Sequence, residues 1–197
     1  MKSMRHLLAI TAAAGILSGC RGIHGVDMYS QSVDPYVPVN DEDVRLGECT
    51  IMLGDEVNVC GQGAWYKDCD IVISKGGVYT ISGTYDSGCI NVSTSDIVKL
   101  IFSDADISNP EGFAVKSSAE RLIIESNGDT SITGSGGSYE NAVYSDGVLM
   151  IVGVGDMCIN GGVFSRGGIR FGGNVSTMCE IVRTEDGDII SGVLSVN

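Results

Sequence analysis

The sequence predicts an all-β chain wound as a parallel β-helix, a solenoid of stacked coils. From Glu48 onward, short β-branched runs alternate with Gly, Asp, Asn and Ser, and no stretch carries a helical period. Three segments, Lys99–Ser108, Arg121–Thr133 and Val148–Asn160, superpose as a strand, a polar turn containing Asp and a second apolar pair. The spacing is 22 residues from Leu100 to Leu122 and 27 from Leu122 to Leu149, which suits one coil better than a propeller blade. Shorter echoes at Phe113–Ser117, Asn141–Ser145 and Gly168–Phe171 read as a further strand of each coil. A β-sandwich is the alternative, since alternating strands with Gly turns also describe it. Repetition of a whole strand-turn-strand phrase argues against the sandwich.

Ahead of that domain, residues 1–19 read as a signal peptide. Lys2 and Arg5 give a basic start, Leu7 to Leu17 an apolar core, and Ser18 and Gly19 a small-residue exit. The core is shorter than the about 20 residues that a membrane-crossing helix needs. Leu17-Ser18-Gly19-Cys20 resembles the bacterial lipobox. That resemblance implies cleavage before Cys20, acylation of its thiol with fatty acid such as palmitate, and a lipid-anchored place in the bacterial cell envelope, at the outer membrane or cell surface. Residues 20–44 carry Pro35 and Pro38, end in the acidic run Asn40–Asp43, and read as the lipidated N-terminus and a flexible tether. Residues 45–197 form a single domain.

Removing residues 1–19 takes away Lys2 and Arg5 and no acid, so the charge moves from -13 to -15. Such a balance argues against nucleic acid and against anionic headgroups, both of which call for basic patches. Membrane attachment therefore falls to the lipid on Cys20. Of the 7 cysteines, Cys49, Cys60, Cys69, Cys89, Cys158 and Cys179 remain once Cys20 is set aside. An even number in an oxidising compartment permits disulfides. Cys69 with Cys89, and Cys158 with Cys179, are each about one coil apart, which puts each pair on adjacent strands and leaves Cys49 with Cys60. Thiols buried as small hydrophobes are the alternative.

Gly77-Val-Tyr-Thr-Ile-Ser-Gly83, Cys89-Ile-Asn-Val-Ser93, Val98-Lys-Leu-Ile-Phe102, Asp106-Ile-Ser108 and Ala114-Val-Lys-Ser117 follow one another in order. This text resembles a family of exported bacterial carbohydrate-binding domains, over about Cys69 to Gly173. The resemblance implies a right-handed parallel β-helix like that of pectate lyases, calcium bound by the coils, and affinity for acidic polysaccharides such as polygalacturonate.

A chain this acidic repels a polyuronate unless a local basic strip or a bridging cation intervenes. Calcium takes six to eight oxygen ligands, and stacked turns offer oxygens in rows, so Asp104, Asp106, Asp129, Asp146 and Asp156 are the candidate ligands. Turn Asp more often caps backbone, and that reading stands beside the first. Aromatic faces give a second route to sugar: Tyr139 and Tyr144 are the expected platform, with Lys116 and Arg170 as polar contacts. Phe113, Phe171 and Trp65 lie near the same repeats. Lyase chemistry would need calcium and an unpaired Lys or Arg base such as Lys116, Arg166 or Arg170. No G-x-S-x-G or H-E-x-x-H accompanies them. The sequence thus predicts a non-catalytic polysaccharide binder, with a structural or adhesive solenoid and a lyase-like enzyme as alternatives.

Overall fold

A computed structural model describes residues 48–137 and 140–172 in full, and residues 176–184 and 189–195 as backbone. The signal segment, Cys20, the tether and Tyr139 lie outside the described residues. Those residues form strands β1 (Glu48–Leu53), β2 (Asn58–Gly61), β3 (Ala64–Lys67), β4 (Asp70–Ile73), β5 (Gly77–Tyr85), β6 (Cys89–Val92), β7 (Ile97–Asn109) and β8 (Val115–Ser117). They continue as β9 (Arg121–Ser126), β10 (Thr130–Gly134), β11 (Asn141–Ser145), β12 (Val148–Gly153), β13 (Asp156–Ser165), β14 (Ile169–Phe171), β15 (Ser176–Thr184) and β16 (Ile189–Ser195). No α-helix occurs among the described residues.

The strands build one mixed sheet in which three parallel ladders are joined at bends. In the first ladder β1, β5, β7, β9, β12 and β14 lie side by side, with Val98, Leu122, Leu149 and Ile169 in register. The second aligns the later parts of β5 and β7 with β10, β13 and β15, so that Ile107, Ile132 and Ile159 coincide. The third runs β4, β6, β8, β11, the end of β13 and the end of β15. The chain visits third, first and second ladder in that order and then begins again one rung further on. A residue and its counterpart about one repeat later are therefore neighbours in space.

Alternation explains which residues face inward. Along β4 to β8 the pleat sends Ile71, Ile73, Ile90, Val92 and Val115 into the core, all at most 1% exposed, while Val72, Asn91 and Lys116 point away. Tyr79, Phe102, Leu100, Ile124 and Ile151 fill the interior behind the first ladder.

The bends are polar and also buried. Ser117, Ser145 and Ser165 occupy successive rungs where the third ladder turns into the first. Ser165 Oγ lies 2.7 Å from the Gly147 carbonyl and 2.9 Å from that of Gly168, Ser145 Oγ 3.2 Å from Gly147, and Ser117 Oγ accepts the Ala119 amide at 3.1 Å. These hydroxyls satisfy turn backbone that no ladder reaches. Chain approaches chain so closely here that a Cβ on Gly147 would overlap the Ala119 and Glu120 carbonyls. Gly153, at φ 131°, meets the same restriction from the Ser126 carbonyl at the next bend.

Among the described strands, β1–β2, β3–β4 and β15–β16 pair antiparallel, and they lie at the two ends of the stack. They cover strand edges that would otherwise template further pairing. A sandwich of antiparallel sheets does not describe this pairing.

Two details of the predicted repeat need correction. Arg121 and Val148 do share a rung, but their partner is Ile97 rather than Lys99. The ends of the three segments, Ser108, Thr133 and Asn160, coincide as read. A slip of two residues keeps every side chain on its face, so hydrophobic pattern alone does not detect it. Gly168–Phe171 belongs to the first ladder, against Leu149–Ile151, and the true third echo is Val163-Phe164-Ser165.

Two measurements test this packing. Ile124, fully buried, has Leu100 and Ile151 on its flanking strands, and Ile124→Ala should cost about 2–5 kcal/mol in urea unfolding, whereas Ser93→Ala, on an exposed turn, should stay within about 0.5 kcal/mol. Tyr79 donates to the Lys75 carbonyl at 2.8 Å, and burial, then Cys49 and Asp96, push its phenol up from 10.0 to about 12. A raised acid favours its protonated form in the fold. Its contribution is complete below about pH 10 and is lost as the pH rises toward 12, and Tyr79→Phe should flatten that part of the alkaline stability profile.

Candidate sugar-binding face

The outward face of the third ladder carries the residues that the sequence singled out most usefully. Register places Val72, Asn91, Lys116, Tyr144 and Phe164 in one column across β4, β6, β8, β11 and β13. Trp65 of β3 stands opposite Val72 at one end, and Arg183 of β15 takes the position after Phe164 at the other. Each is there because its inward neighbours, Ile71, Ile90, Val115, Val143 and Val163, are committed to the core.

The rings form a tier. Phe113 and Tyr144 lie 5.4 Å apart between centroids at 48°, and Tyr144 and Phe164 are stacked at 5.4 Å and 11°. All three are half-buried, an apolar floor that keeps part of each ring open to solvent. Asn109 Nδ2 donates to the Phe113 carbonyl at 2.9 Å and fixes the segment leading into β8. Lys116 Nζ sits 6.0 Å from the centre of the Phe113 ring, within cation–π range. The Tyr144 hydroxyl donates to Asp146 Oδ1 at 2.9 Å, and Arg166 Nη1 reaches the same oxygen at 3.2 Å. Lys116 and the Asp146–Arg166 ion pair therefore rim the tier. A ring floor with polar groups at its margin is suited to a pyranose, whose C–H surface packs on rings while its hydroxyls find partners.

Tyr144 and Lys116 are thus brought together as the sequence pairing requires, and Phe113 joins them. Arg170 is not part of the site: it lies opposite Met150 on the first ladder, another side of the molecule. Phe164 was missed. Its signal was the match of Val163-Phe164-Ser165 to Val143-Tyr144-Ser145 and Val115-Lys116-Ser117, hidden by the nearby Gly168–Phe171 run.

The five candidate metal ligands do not converge. Asp104, Asp129 and Asp156 immediately precede or open corresponding positions on three successive rungs. Asp104, at φ 52°, turns its Oδ1 onto the Asp129 amide at 3.2 Å, which is a capping role. Asp106 projects from the second ladder, and Asp146, at the bend between third and first, is bound to Tyr144 and Arg166. Among the described residues no three His, Cys, Asp or Glu side chains gather as a metal site.

The cysteines also differ from a facing ladder. Cys49, Cys60, Cys69 and Cys89 are free thiols. Each expected pair falls on neighbouring strands, or directly at a strand's end, but one position out of step: Cys60 faces Thr50, Cys89 faces Asp70, and Cys158 faces Met178. One position reverses the face, so Cys49 is buried and Cys60 exposed. Burial, then the charge of Asp70, pushes the Cys89 thiol up to about 12 and keeps it protonated at neutral pH.

A family model described as "Carbohydrate-binding domain-containing protein" matches residues 67–189, an interval that contains the column from Val72 to Arg183. No curated protein and no solved structure matched the chain. On the strength of a family match that spans well over half of its length, the chain belongs to the carbohydrate-binding domain-containing proteins.

Proposed function

We propose that the protein is a lipid-anchored envelope protein that binds an extended acidic polysaccharide, without acting on it chemically, along the outward face of the third ladder. The observation that carries this reading is the Phe113–Tyr144–Phe164 tier with Lys116 and Arg166 at its margin. A polymer lying across the strands meets a new side chain about every 4.8 Å, so neighbouring sugar units find equivalent contacts on successive rungs. Lys116 and Arg166 supply charge for a uronate such as polygalacturonate, and the reading places no weight on calcium. The cyclic order of the three ladders supports a parallel β-helix, and its right hand follows from the general preference of parallel crossovers. Of the conceivable lyase bases, Lys116 and Arg166 are engaged with a ring and with Asp146 respectively, and Arg170 lies on the first ladder away from the tier, which favours binding over elimination.

Calorimetry of the Cys20→Ser chain from residue 20 onward, against polygalacturonate and a neutral glucan, with and without chelator, tests the site. Tyr144→Ala should weaken binding of both polymers about tenfold, equivalent to about 1.4 kcal/mol. Lys116→Ala should weaken the uronate alone, and chelator should change neither. Silence with every polysaccharide, or full affinity in Tyr144→Ala, would overturn the reading in favour of a structural solenoid. Growth of absorbance from unsaturated uronide would instead establish a lyase. For the anchor, an inhibitor of lipoprotein signal peptidase should cause the uncleaved precursor to accumulate, and normal processing in its presence would rule out lipidation at Cys20.

A further inference from the structure

The column that carries the ring tier extends beyond Lys116. Lys116, Tyr144 and Phe164 occupy three successive rungs, and register carries the same outward position on through Asn91 of β6 and Val72 of β4 to Trp65 of β3. Among the described strands β3 is the last of this ladder, paired antiparallel with β4. Alternation sends its two adjacent rings to opposite sides. Tyr66 stands opposite the buried Ile71, and its ring meets that of Tyr85 edge-on at 6.3 Å, while the Tyr85 hydroxyl donates to its own at 3.2 Å. Trp65 stands opposite Val72, on the outward side, and is 44% exposed.

We infer that Trp65 is a second sugar platform, occupied together with the ring tier by one polysaccharide chain, so that the site favours chains of about six units or more over short fragments. The inference rests on the sugar-binding reading of the tier and adds a length requirement to it. Trp65 and Tyr144 are four strand spacings apart, about 19 Å, and the column from Trp65 to Phe164 spans about 24 Å. At about one sugar unit per rung, a trimer on the tier ends at Lys116, three rungs from Trp65, whereas about six units reach it.

The ground between the two platforms suits a sugar chain. Val72 and Asn91 are half-buried and give a low floor with one amide to meet a hydroxyl. No carboxylate stands on the column between Trp65 and Phe164. Asp70, beside Val72, accepts the Cys89 amide at 3.3 Å and lies opposite Lys67, which also meets Asp68 at 3.7 Å. A single exposed tryptophan needs no function. One that shares a column with a ring tier is held by the same sheet, at a fixed distance and on the same side. A chain that touches one platform then meets the second within the complex already formed, which raises its affinity over that of a fragment too short to reach.

Trp65 is the chain's only tryptophan, so its fluorescence reads one end of the column while calorimetry reads the whole. On the Cys20→Ser chain from residue 20 onward, galacturonate octamer should shift the Trp65 emission over the concentrations at which calorimetry detects binding. Tyr144→Ala should move that fluorescence titration to about tenfold higher concentration, because one ligand chain spans both rings. Trp65→Ala should weaken octamer binding about tenfold by calorimetry and leave that of the trimer within about twofold. Trp65→Tyr, which keeps a ring, should recover most of the loss, and Tyr66→Ala, on the other side of β3, should leave octamer binding unchanged. Full octamer affinity in Trp65→Ala, octamer binding without a change of emission, or a fluorescence titration indifferent to Tyr144→Ala would overturn the inference, while calorimetric binding that depends on Tyr144 would leave the tier standing. A loss in Tyr66→Ala as large as that in Trp65→Ala would overturn it too, by assigning both to a disturbed β3. Absence of octamer binding, or calorimetric binding indifferent to Tyr144→Ala, would overturn the sugar-binding reading of the tier and this inference with it.

Discussion

Ile71, Ile90, Val115, Val143 and Val163 stand in one column on five successive rungs, and the same holds for Val98, Leu122, Leu149 and Ile169. A single coil, with one short strand on each side, encloses too little apolar surface to offset the entropy of ordering it. Burial is completed only when a coil's inward residues meet those above and below. Parallel register is therefore the constraint on which the rest depends, because it makes like meet like along each ladder. A one-residue slip anywhere would turn a whole strand's apolar set toward water.

That constraint has a consequence at the bends. Holding three ladders in register forces the turns of adjacent coils into contact, where backbone groups lack both ladder partners and water. Ser117, Ser145 and Ser165 answer this from inside, and Gly147 and Gly153 answer it by giving up a side chain. With core and bends so fully specified, the outward positions are the ones left to vary. Asn91, Lys116, Tyr144 and Phe164 occupy equivalent outward sites and range from amide and ammonium to aromatic ring, which is the freedom a binding surface requires.

Much of this was legible in the residues, and the failures are physical ones. Strand content and repetition were readable because alternation and Gly-rich turns are local signals. Which residue meets which was not, since Lys99 and Ile97 sit two apart on one face and serve the pattern equally well. The pairing of Lys116 with Tyr144 could be read from the Ala-Val-x-Ser echo, while Phe164 could not, because Gly162 replaces the expected alanine and a second apolar run follows at once. For the acids, sequence shows recurrence but not direction: Asp104 turns back onto an amide and Asp146 is held by Arg166. For Cys69 and Cys89, likewise, a spacing of about one coil selects the neighbouring rung without fixing the register, and Cys89 comes to face Asp70.

Direction also bears on the conflict between a chain of charge -13 and the acidic ligand proposed for it. Repulsion from the whole molecule acts through solvent and fades over about 8 Å at physiological salt, so it governs approach rather than contact. At the outward face of the third ladder the groups that matter are Lys116 beside Phe113 and the Arg166–Asp146 pair beside Tyr144. The ring tier adds an attraction that salt barely screens, because it rests on apolar surface and ring quadrupoles instead of net charge. The position of that face follows from which third-ladder residues the core leaves facing out.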